Sequence, residues 1–244
     1  MPDSCLNAGP PGVGATSVAP ARTLRHLLII RHGETDANRN GIVQGHTQTD
    51  LNALGQIQAA RLAERLAGFR PRIEAVLCSD LNRAMQTARP VADRLGVSIT
   101  IDPAWRERCY GQFEGLNVEQ RSARKHELDE HGTPPGGQCR PTYQRQVFDA
   151  LQSAIRRFRD VHCLAIVTHG GASGAIMTML GDGRLRRHSS CRGDDIAITH
   201  QAPNCSVTHL TLHGNAWAEP TFSIECMHDV AHLDADRVTR ADHG

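Results

Sequence analysis

Two arginines and two histidines stand out because of where they fall. Arg31-His32-Gly33, Ser79-Asp80 with Arg83, and His169-Gly170-Gly171 each follow a short aliphatic run directly: Leu27-Leu28-Ile29-Ile30, Ala75-Val76-Leu77-Cys78 and Leu164-Ala165-Ile166-Val167. Such runs are expected for strands buried on both faces of a parallel sheet. Ligands of open α/β sheets bind outside the carboxyl ends of the strands, so the three clusters could converge on one pocket. Its inventory would be two guanidinium groups, two imidazoles and glycine-rich backbone at the start of a helix. Arginine offers planar paired donors, glycine lets backbone N–H groups approach, and a helix N-terminus favours anions. That set suits a tetrahedral phosphate. Each cluster alone has an ordinary explanation as a tight turn or a solvated helix residue; their common position at strand ends gives them weight.

Asn52 is placed to cap a helix with Ala59, Leu62, Ala63 and Leu66 on its apolar face and Gly68 at its end. A second helix is expected over about 81–95, kinked at Pro90 and closed by Gly96, before a strand over Val97–Ile101. From Trp105 to about Thr142 the chain is rich in Gly and Pro and reads as an inserted cap segment with a short helix over about 118–128. Val147, Phe148, Leu151, Ile155 and Phe158 form an amphipathic pattern. Ala172–Leu180 reads as a helix and Val207–Leu212 as a strand. The alternation predicts an α/β protein: a three-layer α/β/α sandwich with a mostly parallel central sheet and a cap over about 105–142. Residues 1–22, rich in Gly, Pro and Ala without apolar period, are expected to form a disordered tail before a single domain over 23–244, and 230–244 to trail over the surface.

The 244 residues carry a formal net charge of +1, which gives no reason to expect a nucleic-acid partner. No apolar stretch approaches the ~20 residues of a membrane span, so no membrane partner is expected. The eight cysteines include no C-x-x-C pair and no export signal is recognised, so free thiols in the cytoplasm are expected. The histidines are scattered and show no H-E-x-x-H spacing, and no metal or cofactor is expected. Nothing in the chain addresses oligomeric state.

Leu28-Ile29-Ile30-Arg31-His32-Gly33-Glu34-Thr35, followed by Asn38 and Gln44-Gly45, resembles the signature of the histidine phosphatase superfamily, the phosphoglycerate-mutase-like proteins. So do Ser79-Asp80-Leu81-x-Arg83-Ala84, Arg106-Glu107-Arg108-x-Tyr110-Gly111 and Val167-x-His169-Gly170-Gly171. The resemblance implies that His32 is a nucleophile forming a phosphohistidine, with Arg31, Arg83 and His169 spreading the transferring charge. It makes Glu107 the general acid and base, with Asn38, Gln44, Gly45, Arg108, Tyr110 and Gly170 contacting phosphate or substrate; Glu34 could instead organise the loop. The implied function is hydrolysis of a small-molecule phosphate ester without metal or cofactor.

Two details favour a phosphatase over the cofactor-dependent phosphoglycerate mutases. Gly115-Leu116-Asn117 is followed by Val118, where the mutases have Lys, and Lys125–Gly137 contains no Arg where mutases carry a carboxylate-gripping pair. The chain looks closest to the fructose-2,6-bisphosphatase-like branch, departing from it at Gln138-Cys139, where that branch commonly has Glu followed by Ser or Thr. Arg106 and Arg108 flank Glu107 and could hold a second anionic group; Cys109 beside them reads as a small buried residue or a redox-sensitive thiol. The remaining alternative is a module that binds phosphate without catalysis. Removal of residues 1–22 is expected to leave melting temperature and turnover nearly unchanged; a large drop in melting temperature would show that the tail packs on the core.

Overall fold

The computed structural model describes residues 23–181, 186–187, 202–213 and 220–233; the expected tail over 1–22 and the chain beyond 233 lie outside them. Strand β1 (His26–Arg31) is followed by a one-turn helix α1 (Asp36–Arg39) and by α2 (Ala53–Ala67). Then come β2 (Ala75–Cys78), α3 (Asn82–Leu95) and β3 (Ile99–Ile101). After the cap segment, with its short α4 (Val118–Ala123), the chain forms α5 (Arg140–Arg157), β4 (Cys163–Thr168) and α6 (Gly170–Gly181). Strands β5 (Arg186–Arg187), β6 (Val207–His213) and β7 (Thr221–Asp229) complete a seven-stranded sheet in the order β3-β2-β4-β1-β6-β7-β5. Pairing is parallel from β3 through β1, antiparallel at β1–β6 and β6–β7, and parallel again at β5–β7.

Alternation along the central strands builds two cores. Leu27 and Ile29 of β1, with Leu164 and Ile166 of β4, pack beneath α5 and α6. Their neighbours Leu28, Ile30, Ala165 and Val167 face α2 and α3. Full burial of each such Leu, Ile or Val is worth about 1.5–3 kcal/mol, and the need to cover both faces makes the sheet the middle layer of an α/β/α sandwich. Helix α2 starts where Asn52 accepts a bond from Gly55 N, satisfying a first-turn donor. Helix α3 ends at Gly96, whose φ of 67° needs a residue without a side chain.

Several elements differ from the sequence-based expectation. The short helix of the cap stops at Ala123 and continues as a 3-10 turn over Lys125–Glu127. Strand β3, at the sheet edge, is only three residues, Ile99–Ile101. Helix α5 starts at Arg140, ahead of the apolar pattern that begins at Val147, and Pro141 is tolerated in a first turn that needs no internal N–H. Strand β7 was not anticipated; Phe222 and Ile224 meet the core, but polar residues and a register shift against β6 blur the alternation. Val230 and Leu233, expected to trail over the surface, pack against the α2–α3 core. Among the described residues no helix is long and apolar enough to cross a membrane.

Three histidines at the margins of this fold are held neutral. Burial, followed by the neighbouring His209 and His162, lowers the His26 pKa to about 4. Burial, aided by Arg31 for His228 and by Arg65 for His232, lowers theirs to about 4 as well. The unfolded chain takes up these protons first, so the stabilisation is complete above pH ~6.5 and is lost as pH falls toward 4. Melting temperature is therefore expected to fall between pH 7 and 4.5, less steeply in His26→Gln; a flat profile across that interval would contradict this.

Candidate active site

The register of β2, β4 and β1 sets the site. Arg31 pairs with Thr168 and Cys78 with Val167, so the residues that follow emerge at one level from three adjacent parallel strands. Backbone bonds extend the ladder past the strands: His32 N donates to Thr168 O at 2.9 Å and Ser79 N to Val167 O at 3.0 Å. Arg31, His32, Arg83 and Gly170 line one cavity of about 490 Å³, whose wall also includes Asn38, Gln44, Gly45, Glu107, Arg108 and Tyr110. His169 lies fully buried beside it, its ring 5.2 Å from that of His32.

His32 is held as a neutral imidazole. Its Nδ1 lies 2.7 Å from Gly33 O; a carbonyl only accepts, so Nδ1 carries the proton and Nε2 keeps its lone pair. Burial, then the charges of Arg83 and Arg31, push its pKa well below 6.5, against the smaller opposing effect of the Gly33 bond. His169 is held neutral likewise by burial, Arg83 and His32; its Nε2 is 2.8 Å from Ser79 Oγ. Arg83 donates to Gly45 O at 2.8 Å and Thr47 O at 2.9 Å, and Arg31 donates to Ala202 O. Burial lowers Arg83 to about 10, which leaves it cationic at neutral pH. Arg31 Nε, Arg83 Nε and His169 Nδ1 are buried without a hydrogen-bond partner among the described residues. Buried unpaired donors are costly, and an oxyanion in the cavity would relieve that cost.

The loop after β1 is built to present its donors. Asn38 Oδ1 is occupied by Thr35 and by Asn204 Nδ2, and Gln44 Oε1 accepts from Thr35 and Thr49 hydroxyls at 2.9 and 2.7 Å. Their amide nitrogens are thereby the ends left for a ligand. Glu34 is fully buried and bonded to Arg39 and Asn52, so it braces the loop rather than lining the cavity. Behind the loop, a Cβ on Gly33 would sit 2.7 Å from Gly55 O, and one on Gly55 would sit 2.1 Å from Glu34 O, so the start of α2 fits against it only as bare backbone.

Glu107 arrives from the cap segment. Its carboxylate accepts from Arg108 N at 2.8 Å and from Gly171 N, in the first turn of α6, at 2.9 Å. Tyr143, buried beside it, stays a neutral phenol because burial and then the Glu107 charge raise its pKa well above 10. The cap is tied to the core at several points. Thr168 Oγ1 donates to Trp105 O, His46 Nε2 to Glu107 O, and Glu114 accepts from the backbone of His46, Thr47 and Tyr110. Partial burial opposes ionisation of Glu114, but these bonds hold its pKa below the usual carboxylate value.

The branch 1 profile of the histidine phosphatase superfamily matches residues 27–224. The chain belongs to that superfamily. It is 31% identical over 216 residues to a probable phosphoglycerate mutase, GpmB, of Yersinia enterocolitica, covering 85% of this chain and 94% of that protein. It is 29% identical over 222 residues to a probable phosphatase of Schizosaccharomyces pombe, covering 86% and 96%. The solved structure of Bacillus stearothermophilus YhfR superposes with a TM-score of 0.69 at 25% identity, covering 86% of this chain and 99% of that one.

This histidine phosphatase departs from the sequence reading in its cationic wall. Arg106 does not share the cavity with Arg108: it is locked to Asp80 through Nε–Oδ1 at 2.7 Å and Nη2–Oδ2 at 2.5 Å. Nor is the wall poor in arginine, since Arg121 and Arg140, just outside the Lys125–Gly137 stretch, line it. Val118 starts α4, is 37% exposed and is not among the cavity-lining residues. Tyr143, Gln144, Asn204 and Ala202 also escaped notice, for they join the site only through tertiary packing. Tyr143 carried one usable signal, a lone aromatic in the first turn of an amphipathic helix that follows the cap.

A Cβ on Gly171 would lie 2.0 Å from Glu107 Oε1, the far end of a flexible side chain that can move aside. Gly171→Ala is therefore expected to change the melting temperature by less than about 2 °C, while cutting turnover of alkyl phosphates roughly 10-fold or more. Unchanged turnover would show that the carboxylate position is immaterial.

Proposed function

We propose that this histidine phosphatase hydrolyses a phosphorylated small metabolite through a phosphohistidine on His32. What carries the reading is the neutral His32 imidazole, its Nδ1–H fixed on Gly33 O, in a cavity with two buried guanidinium groups whose Nε atoms lack partners. His32 Nε2 attacks phosphorus in line and the bond to the ester oxygen breaks. Arg31, Arg83, His169 and the Asn38 amide spread the charge on the transferring group, and Gly170 lets it approach the start of α6. Glu107, protonated for this step, gives its proton to the leaving alkoxide. In the second half-reaction the Glu107 carboxylate takes a proton from water, which displaces His32 and releases inorganic phosphate. Gln44, Gly45, Arg108 and Tyr110 contact the remainder of the substrate. The arginines supply the positive charge that a metal ion provides in other phosphoryl-transfer sites, so no metal is assigned to the reaction. Cys78, Cys163 and Cys205 are buried free thiols, which fits our assignment of the protein to the cytoplasm.

The competing reading is a phosphoglycerate mutase. The arginines of the cavity wall and the name carried by the Yersinia relative favour it. Phosphate release and isomerisation of 3-phosphoglycerate, followed on one sample with 2,3-bisphosphoglycerate as primer, decide between them. Release is expected to dominate; rapid interconversion with little phosphate freed would establish the mutase.

Wild-type protein mixed briefly with labelled substrate is expected to carry an acid-labile label that His32→Ala lacks, with turnover lost and the fold retained. Activity should persist in EDTA. Normal turnover by His32→Ala, or activity lost to chelator and restored by a divalent cation, would overturn this mechanism. In single-turnover phosphorylation, Glu107→Gln should impair alkyl phosphates far more than aryl phosphates, because a phenolate leaves without a proton. Equal loss on both would place the acid elsewhere.

A further inference from the structure

Four consecutive carbonyls lead into and include that of Glu107, and each is held by a side chain. Gln146 Nε2 donates to Ala104 O at 2.9 Å, Thr168 Oγ1 to Trp105 O at 2.8 Å, Tyr143 Oη to Arg106 O at 3.2 Å and His46 Nε2 to Glu107 O at 2.9 Å. The Tyr143 bond is the longest of the four, and of these donors only Tyr143 lines the described cavity. Tyr143 and Gln146 lie three residues apart on one face of α5. Without the Tyr143 bond the segment still keeps the other three. The buried phenol has a second acceptor in reach, the Glu107 carboxylate. Burial, the Glu107 charge, Tyr110 and that bond keep the phenol protonated, against a smaller opposing effect of Arg108. The carboxylate has room for it: Arg108 N meets Oε1 and Gly171 N meets Oε2, and an ionised carboxylate offers about four acceptor positions. Arg31 from the end of β1, Arg83 from α3, and Arg108 and Tyr110 in the cap are the charged and titratable groups around it; α6 contributes the Gly171 N–H.

We propose that Tyr143 is a positioning residue for Glu107: its hydroxyl donates to Arg106 O while Glu107 carries a proton, and turns to the carboxylate once Glu107 has given that proton up. This rests on the phosphatase reading and adds a residue to it. In the first half-reaction the Glu107 proton goes to the ester oxygen as its bond to phosphorus breaks, and the phenol meets the new carboxylate. In the second, Glu107 takes a proton from the attacking water and the phenol returns to Arg106 O. Tyr143 gives up no proton in either. A hydrogen bond made only to the ionised form lets Glu107 part with its proton more readily and holds the carboxylate in one orientation.

The test compares Tyr143→Phe with Gln146→Leu. Both lose one bond to the same backbone segment, and only the first loses the hydroxyl at the carboxylate. Single-turnover phosphorylation of His32 by β-glycerophosphate, an alkyl ester, should slow at high pH as Glu107 loses its proton. In Tyr143→Phe that fall is expected to begin higher by about half a pH unit or more, and the fall of phosphohistidine hydrolysis at low pH to move up with it. Para-nitrophenyl phosphate, whose phenolate leaves without a proton, should show no such shift during phosphorylation. Gln146→Leu should show none with either substrate. An equal shift in Gln146→Leu, or the same fractional loss at every pH in Tyr143→Phe, would reduce Tyr143 to packing.

A readout that needs no turnover separates this failure from failure of the phosphatase reading. NMR of the isotope-labelled Glu107 carboxyl carbon, assigned with Glu107→Gln, follows its protonation directly in the ligand-free protein. A titration midpoint higher in Tyr143→Phe than in the wild type would uphold the positioning role even if no ester were hydrolysed. Equal midpoints would overturn it even in an active phosphatase.

Discussion

Three parallel strands hold one register, and the inner end of the cavity, with Arg31, His32 and His169, depends on it. Because β4 lies between β2 and β1, the bonds from His32 N to Thr168 O and from Ser79 N to Val167 O carry the ladder one residue past the strand ends. The chain then turns, and the His169 ring lies 5.2 Å from that of His32 with its Nε2 2.8 Å from Ser79 Oγ. A slip of one residue between β1 and β4 would turn Leu28 and Ile30 toward the wrong core and carry His32 away from His169. The apolar demand of both sheet faces is thus what holds the catalytic level.

Burial at that level does two opposing things. It keeps both imidazoles neutral, as a nucleophile requires, and it leaves guanidinium groups short of water. Backbone carbonyls of Gly45, Thr47 and Ala202 meet part of that need without supplying negative charge. Neutralisation is left to the ligand. A carboxylate partner in place of those carbonyls would satisfy the arginines permanently and cancel the field on which anion binding depends. Glu107, the one acid of the described cavity wall, is held instead by the N–H groups of Arg108 and Gly171.

The central sheet and the helices over it were legible because their sequences obey local rules: unbroken aliphatic runs at β1, β2 and β4, an Asn52 cap, and a 3.6-residue period in α5. The cluster of Arg31, His32, Arg83 and His169 was legible for a related reason, since its members fall at or shortly after the ends of those runs. The cap wall was not. Arg121 and Arg140 have no local pattern that separates them from Arg124 or Arg106; what distinguishes them is the carboxylates that close the latter pair, Glu127 and Asp80, and the Asp80 partner is set by the fold. Strand β7 was obscured where a bulge interrupts its alternation against β6.

Glu114 is one carboxylate shared between two pieces of chain: it draws together the 44–47 loop, through His46 and Thr47, and the cap, through Tyr110. The Thr47 hydroxyl adds a further bond to the same carboxylate, at 2.8 Å. Loss of that carboxylate would loosen both pieces together, so in Glu114→Ala amide exchange is expected to quicken at His46, Thr47 and Tyr110 in concert while β1 and β4 keep their protection.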